Sequence, residues 1–334
     1  MQILKLLGLL FTLSIVFIKP LQAKSYDNAQ QILEKMSKAM RALNYRGTLA
    51  LFRHGQLNTL QFYHAAEKGQ EQERLLSLNS PLIEAVRTPT LVKCYYLDSK
   101  KIVIDHRPSR RSFLMDLPEN FTDSSRAYDF VLGNQETVAR MPAWVVYLKP
   151  KDAFRYERKI WVSKDNYLPL RFELLDDRHI VLEQMIFTEL QVVNALPLVH
   201  IPIDKNDVKH IHRLDLLDFD NAAFKINNIP SGFKKVSFTK LHLHSRDRLV
   251  DHLLLSDGFS SVSIYLEENG TEPALESSSG YQAIGSVNFF TNRLKNYQLT
   301  VMGEVPVNTL EHIADNISLR RLPKGLSDSH FNHP

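Results

Sequence analysis

From residue 45 onward the chain breaks into short runs of β-forming residues separated by polar turns, and this repetition limits the fold more than any other feature. The runs fall at 45–53, 57–66, 73–78, 82–87, 91–97 and 101–105, then at 135–140, 143–149, 156–163, 170–175 and 180–192. Only a short helix is predicted among them, at 124–132. Successive short strands joined by polar turns build an antiparallel sandwich, a barrel or a curved sheet. The segment Leu170-Arg171-Phe172-Glu173-Leu174 alternates apolar and charged residues, so one face is dry and the other wet. The segment Trp144-Val145-Val146-Tyr147-Leu148 does not alternate. A strand of that kind needs both faces covered, one by a helix and the other by a cavity or a second layer.

The helix that could supply such a cover precedes the strands. Ala29, Ile32, Leu33, Met36, Ala39, Met40 and Leu43 recur at three- and four-residue spacing and form one apolar stripe over 27–43. Asp27 and Gln30 are placed to form a capping box.

The first 23 residues set the compartment. Lys5 precedes an apolar run at 6–18, and Leu21-Gln22-Ala23 offers a small residue for cleavage, the layout of a secretory signal peptide. The run is too short to span a bilayer, which takes roughly 20 residues. The mature chain is therefore expected to be soluble and exported and to begin near Lys24. The single cysteine, Cys94, excludes an intrachain disulfide, so stability must come from ordinary cores. A mature chain of this length is expected to form two domains.

The first domain is placed at 24–194. Between 195 and 222 the periodicity lapses amid two prolines and scattered charge, the character of a linker. A fresh β pattern, at 224–227, 234–242, 252–256, 260–267, 283–289 and 297–302, marks a smaller α+β domain over 223–321. Val262, Ile264 and Leu266 share one strand face, and a helix capped by Asn308 and Glu311 is predicted at 309–319. Residues 322–334 form a polar, loose tail.

Chemistry is scarce. Nucleophile-elbow, phosphate-loop, dinucleotide and zinc-helix patterns are all missing, which argues against an enzyme and against a cofactor. The pairs His210/His212 and His242/His244 could put two rings on one strand face, but neither has a carboxylate partner nearby, and no metal is predicted. The net charge of +4 includes Lys5 and Lys19, so the mature chain carries +2, too little to suggest nucleic acid. Arg107, Arg110 and Arg111 cluster in a loop, where they could meet lipid phosphates or an acidic partner. Phe52, Phe62, Tyr63, Trp144, Trp161 and Phe172 are candidates to line an apolar cavity for acyl chains. Self-association into a homo-oligomer stays open.

Three long segments resemble the RseB/MucB family of periplasmic sigma-factor regulators: YDFVLG at 128–133, KPKDAFRYERKIWVSKDNYLPLRFELLD at 149–176 and VLEQMIFTELQV at 181–192. In the second half, IPSGFKKVS at 229–237, LLSDGFSSVSIYLE at 254–267 and AIGSVNFFTNRLKNYQLTVMGEVP at 283–306 carry the same resemblance. The stretch 81–118 matches only loosely. The resemblance implies a mainly β, α+β chain. Its large domain is similar to the lipoprotein carriers LolA and LolB, an unclosed antiparallel β-barrel packed on helices, and is followed by the smaller domain. It also implies binding to the periplasmic domain of an RseA- or MucA-like anti-sigma factor, protection of that partner from proteolysis, and release on sensing lipopolysaccharide or lipoprotein acyl chains. The alternatives are a lipoprotein or lipid carrier and an unrecognised hydrolase.

Overall fold

The computed structural model describes residues 28–99, 101–106, 112–118, 120–199, 208–213, 216–242, 249–268 and 280–320. The signal peptide predicted at 1–23, Arg107, Arg110, Arg111, His244 and the tail predicted at 322–334 lie outside the described residues, as do the side chains of His210, His212 and His242.

The first element is helix α1 (Ala29–Ala42). Its cap is Asn28 rather than the expected Asp27. The Asn28 side chain accepts from the Gln31 N–H while Gln31 accepts from the Asn28 N–H, a reciprocal box shifted by one residue. The apolar stripe is buried as expected, with Ile32, Leu33 and Met36 fully enclosed.

Eleven strands follow: β1 (Asn44–Arg53), β2 (Gln56–Glu67), β3 (Gln70–Ser77), β4 (Ile83–Thr88), β5 (Leu91–Tyr96), β6 (Lys101–His106), β7 (Tyr128–Val138), β8 (Met141–Pro150), β9 (Glu157–Ser163), β10 (Pro169–Leu175) and β11 (Val181–Val193). Together with β12 (Val208–Arg213) they form one sheet in the order β12-β6-β5-β4-β3-β2-β1-β11-β10-β9-β8-β7. Its two ends do not pair, so the curved sheet is unclosed, as expected. Every pairing in it is antiparallel except β12 with β6. That strand lies inside the stretch read as a linker: its residues add to an open edge, a partner that sequence periodicity cannot reveal.

The helix predicted at 124–132 is replaced by a four-residue turn, α2 (Phe121–Ser124), and by the start of β7. Asn120 caps α2 through the Thr122 N–H, and Tyr128 to Leu132 pair with β8. Aromatic and β-branched residues in this run favour the pleated surface once a neighbour strand is available.

The inner face of the sheet packs on α1. Tyr45, Leu49, Phe62, Val146, Leu148, Ile160, Phe172, Leu174 and Phe187 join the helix stripe in one core. The doubly apolar β8 is explained by curvature. Val145 and Ala143 on its other face meet Trp161 and Leu170, with Val138 from the end of β7 and Ile186 and Leu190 of β11 closing over them.

The second half holds β13 (Phe224–Ile226), β14 (Lys234–His242), β15 (Leu249–Ser256), β16 (Ser261–Glu268), β17 (Gly280–Ile284), β18 (Val287–Leu294), β19 (Tyr297–Gly303), α3 (Val307–Asp315) and β20 (Ile317–Leu319). Six of these strands make an antiparallel sheet, order β14-β15-β16-β19-β18-β17, whose buried Val262, Ile264 and Leu266 pack with Leu310 and Ile313 of α3. The terminal helix stops at Asp315, short of the predicted Leu319, because Ile317–Leu319 pairs with β13. Asn308 does not cap it; the N-cap is Pro306, and the Asn308 amide is used elsewhere.

Candidate functional site

The two sheets meet along a seam, and the chemistry of the molecule concentrates there. Its tightest part is the turn between β15 and β16, Asp257-Gly258-Phe259-Ser260. The Asp257 carboxylate organises the turn from within, Oδ1 accepting from the Phe259 N–H at 2.9 Å and the Ser260 N–H at 2.7 Å. Oδ2 reaches across the seam, accepting from Arg155 Nε at 2.6 Å and from the Tyr128 hydroxyl at 3.0 Å. Arg158 Nη2 donates to the Phe259 carbonyl at 3.0 Å and to Ser260 Oγ at 2.9 Å. Arg155 and Arg158 are each only 3% exposed, so these charges are paired out of water. Burial and the Asp257 charge push the Tyr128 hydroxyl up, and the Asp257 carboxylate beside Arg155 raises the guanidinium further.

This polar frame holds Phe259 inside the core of the other half. Its ring packs edge-on against Tyr128 at 5.3 Å, Phe121 at 6.0 Å and Phe130 at 6.4 Å. The turn demands glycine at 258: φ is +95°, and a Cβ there would stand 2.5 Å from the Pro118 Cβ. Nearby, Asn308 donates to the Ala153 carbonyl and Thr309 to the Phe154 carbonyl, both at 2.9 Å, fastening the start of α3 to the loop before Arg155.

The far end of the seam is looser. Arg53 reaches Glu183 at 2.6 Å and Glu304 at 3.6 Å, and Ser286 donates to Glu183 at 3.3 Å. Burial and the Glu183 charge push the Glu304 carboxyl up, with Arg53 opposing them. Between the two ends lies a cavity of about 520 Å³. Its apolar wall includes Phe113, Leu114, Met115, Phe172, Phe259 and Met302, and its charged lining balances Arg53, Arg87 and Arg158 against Asp116, Glu183 and Glu304. A pocket of this size, part apolar and part lined by paired charges of both signs, suits an amphiphile with a polar head.

The aromatic residues singled out from the sequence do not converge. Phe62, Trp144 and Phe172 are on the inner face with α1, and only Phe172 lines the cavity. Trp161 is on the opposite face, where its indole N–H donates to Glu136 at 2.7 Å and Arg171 and Lys159 cover its ring. Tyr63 pairs across from Arg46 and bonds Gln61, and Phe52 pairs with the exposed Leu57, both away from α1. Arg155, Arg158, Asp257 and Phe259 were not expected to act together. Their signal was local only: two arginines three apart flanking the start of β9, and a distant Asp-Gly-Phe turn.

The chain matches two family models in succession, the MucB/RseB N-terminal domain over residues 28–210 and the MucB/RseB C-terminal domain over residues 218–318. It is 22% identical to the Sigma-E factor regulatory protein RseB of Haemophilus influenzae, across 88% of this chain and 92% of that one. It is 27% identical to the Sigma factor AlgU regulatory protein MucB of Pseudomonas aeruginosa, across 87% of this chain and 90% of that one. Among solved structures, MucB in complex with MucA(peri) superimposes with a TM-score of 0.67 at 22% identity, covering 88% of this chain and all of that one. MucB by itself gives 0.60 at 23% identity, covering 87% and 98%. With both domain models matched in order over most of its length, the chain belongs to the MucB/RseB family.

Proposed function

We propose that this chain is a periplasmic regulator that binds the periplasmic domain of a transmembrane anti-sigma factor, shields it from proteolysis, and lets it go on sensing lipopolysaccharide or mislocalised lipoprotein. The observation that carries this reading is the pair of MucB/RseB domains in one chain, alongside relatives named for sigma-factor regulation. A lipid carrier, the second reading, needs only the large sheet and gives no role to the second domain. In neither reading is the chain an enzyme.

The physics of release is linkage. A lipid dissociates a protein partner only if it binds the partner-free conformation more tightly than the partner-bound one. A chain of two halves, joined through the segment 195–222 and docked by a seam, supplies two such conformations. We place the acyl ligand in the seam cavity rather than among the aromatics of the large sheet, because there it would touch both halves at once. The partner would then bind the smaller domain and the joining segment.

The test is calorimetric titration of purified 24–334 with the cognate anti-sigma periplasmic domain, with and without lipopolysaccharide. Binding at micromolar affinity or tighter that lipid weakens supports the regulator. Absence of heat at several temperatures, together with tight acyl-chain binding, would favour the carrier.

A further inference from the structure

Register lines up an unusual row of side chains on the inner face of the large sheet. Tyr45 of β1 pairs with His64 of β2, His64 with Glu73 of β3, and Glu73 with Arg87 of β4. Glu71, two residues before Glu73, projects from the same face. Tyr45 and His64 are wholly buried, Glu73 is 2% exposed and Arg87 3%.

This row is poorly satisfied. Among the described residues five buried side-chain atoms have no hydrogen-bond partner, and three of them are here: Tyr45 OH, His64 Nε2 and Arg87 Nε. Such atoms are rare in folded proteins and call for a ligand or a role. The Arg87 Nη1 contacts with Glu71 and Glu73, at 3.3 and 3.6 Å, are longer than a charge-assisted hydrogen bond of roughly 2.7–2.9 Å. Two carboxylates face a single guanidinium in this cluster.

His64 shows what is needed. Its Nδ1 is 2.7 Å from the Leu43 carbonyl, which can only accept, so Nδ1 carries the proton. Its Nε2 then faces Glu71 Oε1 at 3.7 Å. A lone pair facing a carboxylate needs a cation between them. A proton on Nε2 would leave a gap beyond hydrogen-bond range, about 3.2 Å for N–H···O. A metal bound roughly 2.0–2.2 Å from each ligand bridges about 4 Å, which accommodates the observed span. The ligand atoms of His64, Glu71 and Glu73 lie within 4.8 Å of one another, so a side-chain shift of under about 1 Å brings all three onto one ion.

We propose that His64, Glu71 and Glu73 form a binding site for one divalent transition cation of the zinc class. The surroundings have the form that metal sites use: the ligand histidine donates its other N–H to a carbonyl, and a ligand carboxylate is itself hydrogen-bonded. Glu73 accepts from Ser112 Oγ at 2.5 Å and from the Phe113 N–H at 2.7 Å. Ser112 and Phe113 belong to the wall of the seam cavity, so an ion on Glu73 would brace that wall. Imidazole with two carboxylates selects zinc or its first-row neighbours over magnesium or calcium.

The experiment is isothermal titration of tag-free, chelator-stripped protein with zinc chloride, on wild type, Glu71→Gln and His64→Gln. Wild type should take up one equivalent, with at least about tenfold weaker binding in each variant. Glu71 is half-buried, so Glu71→Gln keeps the test valid if His64→Gln fails to fold. No zinc uptake by wild type, which would mean that the imidazole is held by a proton alone, overturns the proposal. Uptake that Glu71→Gln leaves unchanged overturns it equally, since the metal would then sit elsewhere.

Discussion

The two ends of the seam are built from the same residue types and behave differently. At the Phe259 end both arginines are buried, each has several short partners, and an aromatic plug fills the space behind them. At the Arg53 end the arginine side chain is 43% exposed and its second carboxylate is 3.6 Å away. A buried, fully paired charge is costly to uncover, whereas a pair with one solvent-exposed member contributes less. The first end therefore acts as a fastening and the second as an opening beside the cavity. A ligand that entered by the second end could lever the halves apart about the first.

Asp257→Ala is the strongest way to break this contrast. It leaves the Tyr128 hydroxyl without its acceptor, leaves the buried Arg155 with only Asp152 and the Ser231 carbonyl, and strips the turn of two hydrogen bonds. The expected loss is ~3–5 kcal/mol in chemical denaturation, the range for breaking a buried pair. Phe259→Ala should cost about 3 kcal/mol, the lower part of the range for deleting a core phenylalanine, because the seam can partly close on the gap. Gly258→Ala combines a positive φ with a close approach to Pro118, and ~1–3 kcal/mol is expected in the same assay.

Arg53→Ala at the opposite end should cost less, ~1–2 kcal/mol, because the guanidinium is 43% exposed although Glu183 is only 6% exposed. If it proved as damaging as Asp257→Ala, the contrast would fail. A pH series sharpens the point. The Glu304 carboxyl is raised above its ordinary value of 4.5, so the folded chain holds that proton where the unfolded chain has lost it. Stability from this group is full below that value and is lost as pH rises through the raised one. Melting temperatures followed upward from pH 4 should show a small decline that Glu304→Gln removes.

Much of the architecture was legible in the chain. The helix stripe from Ala29 to Met40 and the alternation at Val262, Ile264 and Leu266 are local patterns, and each appears in the structure. The misses were non-local. Ile317–Leu319 continues a helical pattern until β13 offers it a strand partner, and β12 shows no signal until β6 stands beside it. Residue type alone does not assemble a cavity wall, because strand parity decides which side chains share a face. Phe62 and Tyr63 are adjacent on β2 and must face opposite ways, so they could not share one pocket wall. Asp257 precedes a glycine, a local turn signal, but its second oxygen serves residues more than a hundred positions away.

The central claim is that the Asp257–Phe259 turn holds the two halves together in the free chain. Small-angle X-ray scattering of wild type and Asp257→Ala, with circular dichroism to confirm that the sheets persist, tests it most directly. The account predicts a compact wild type and a variant with native strand content but a larger radius of gyration and a broadened distance distribution. Identical scattering from two equally folded proteins would contradict it.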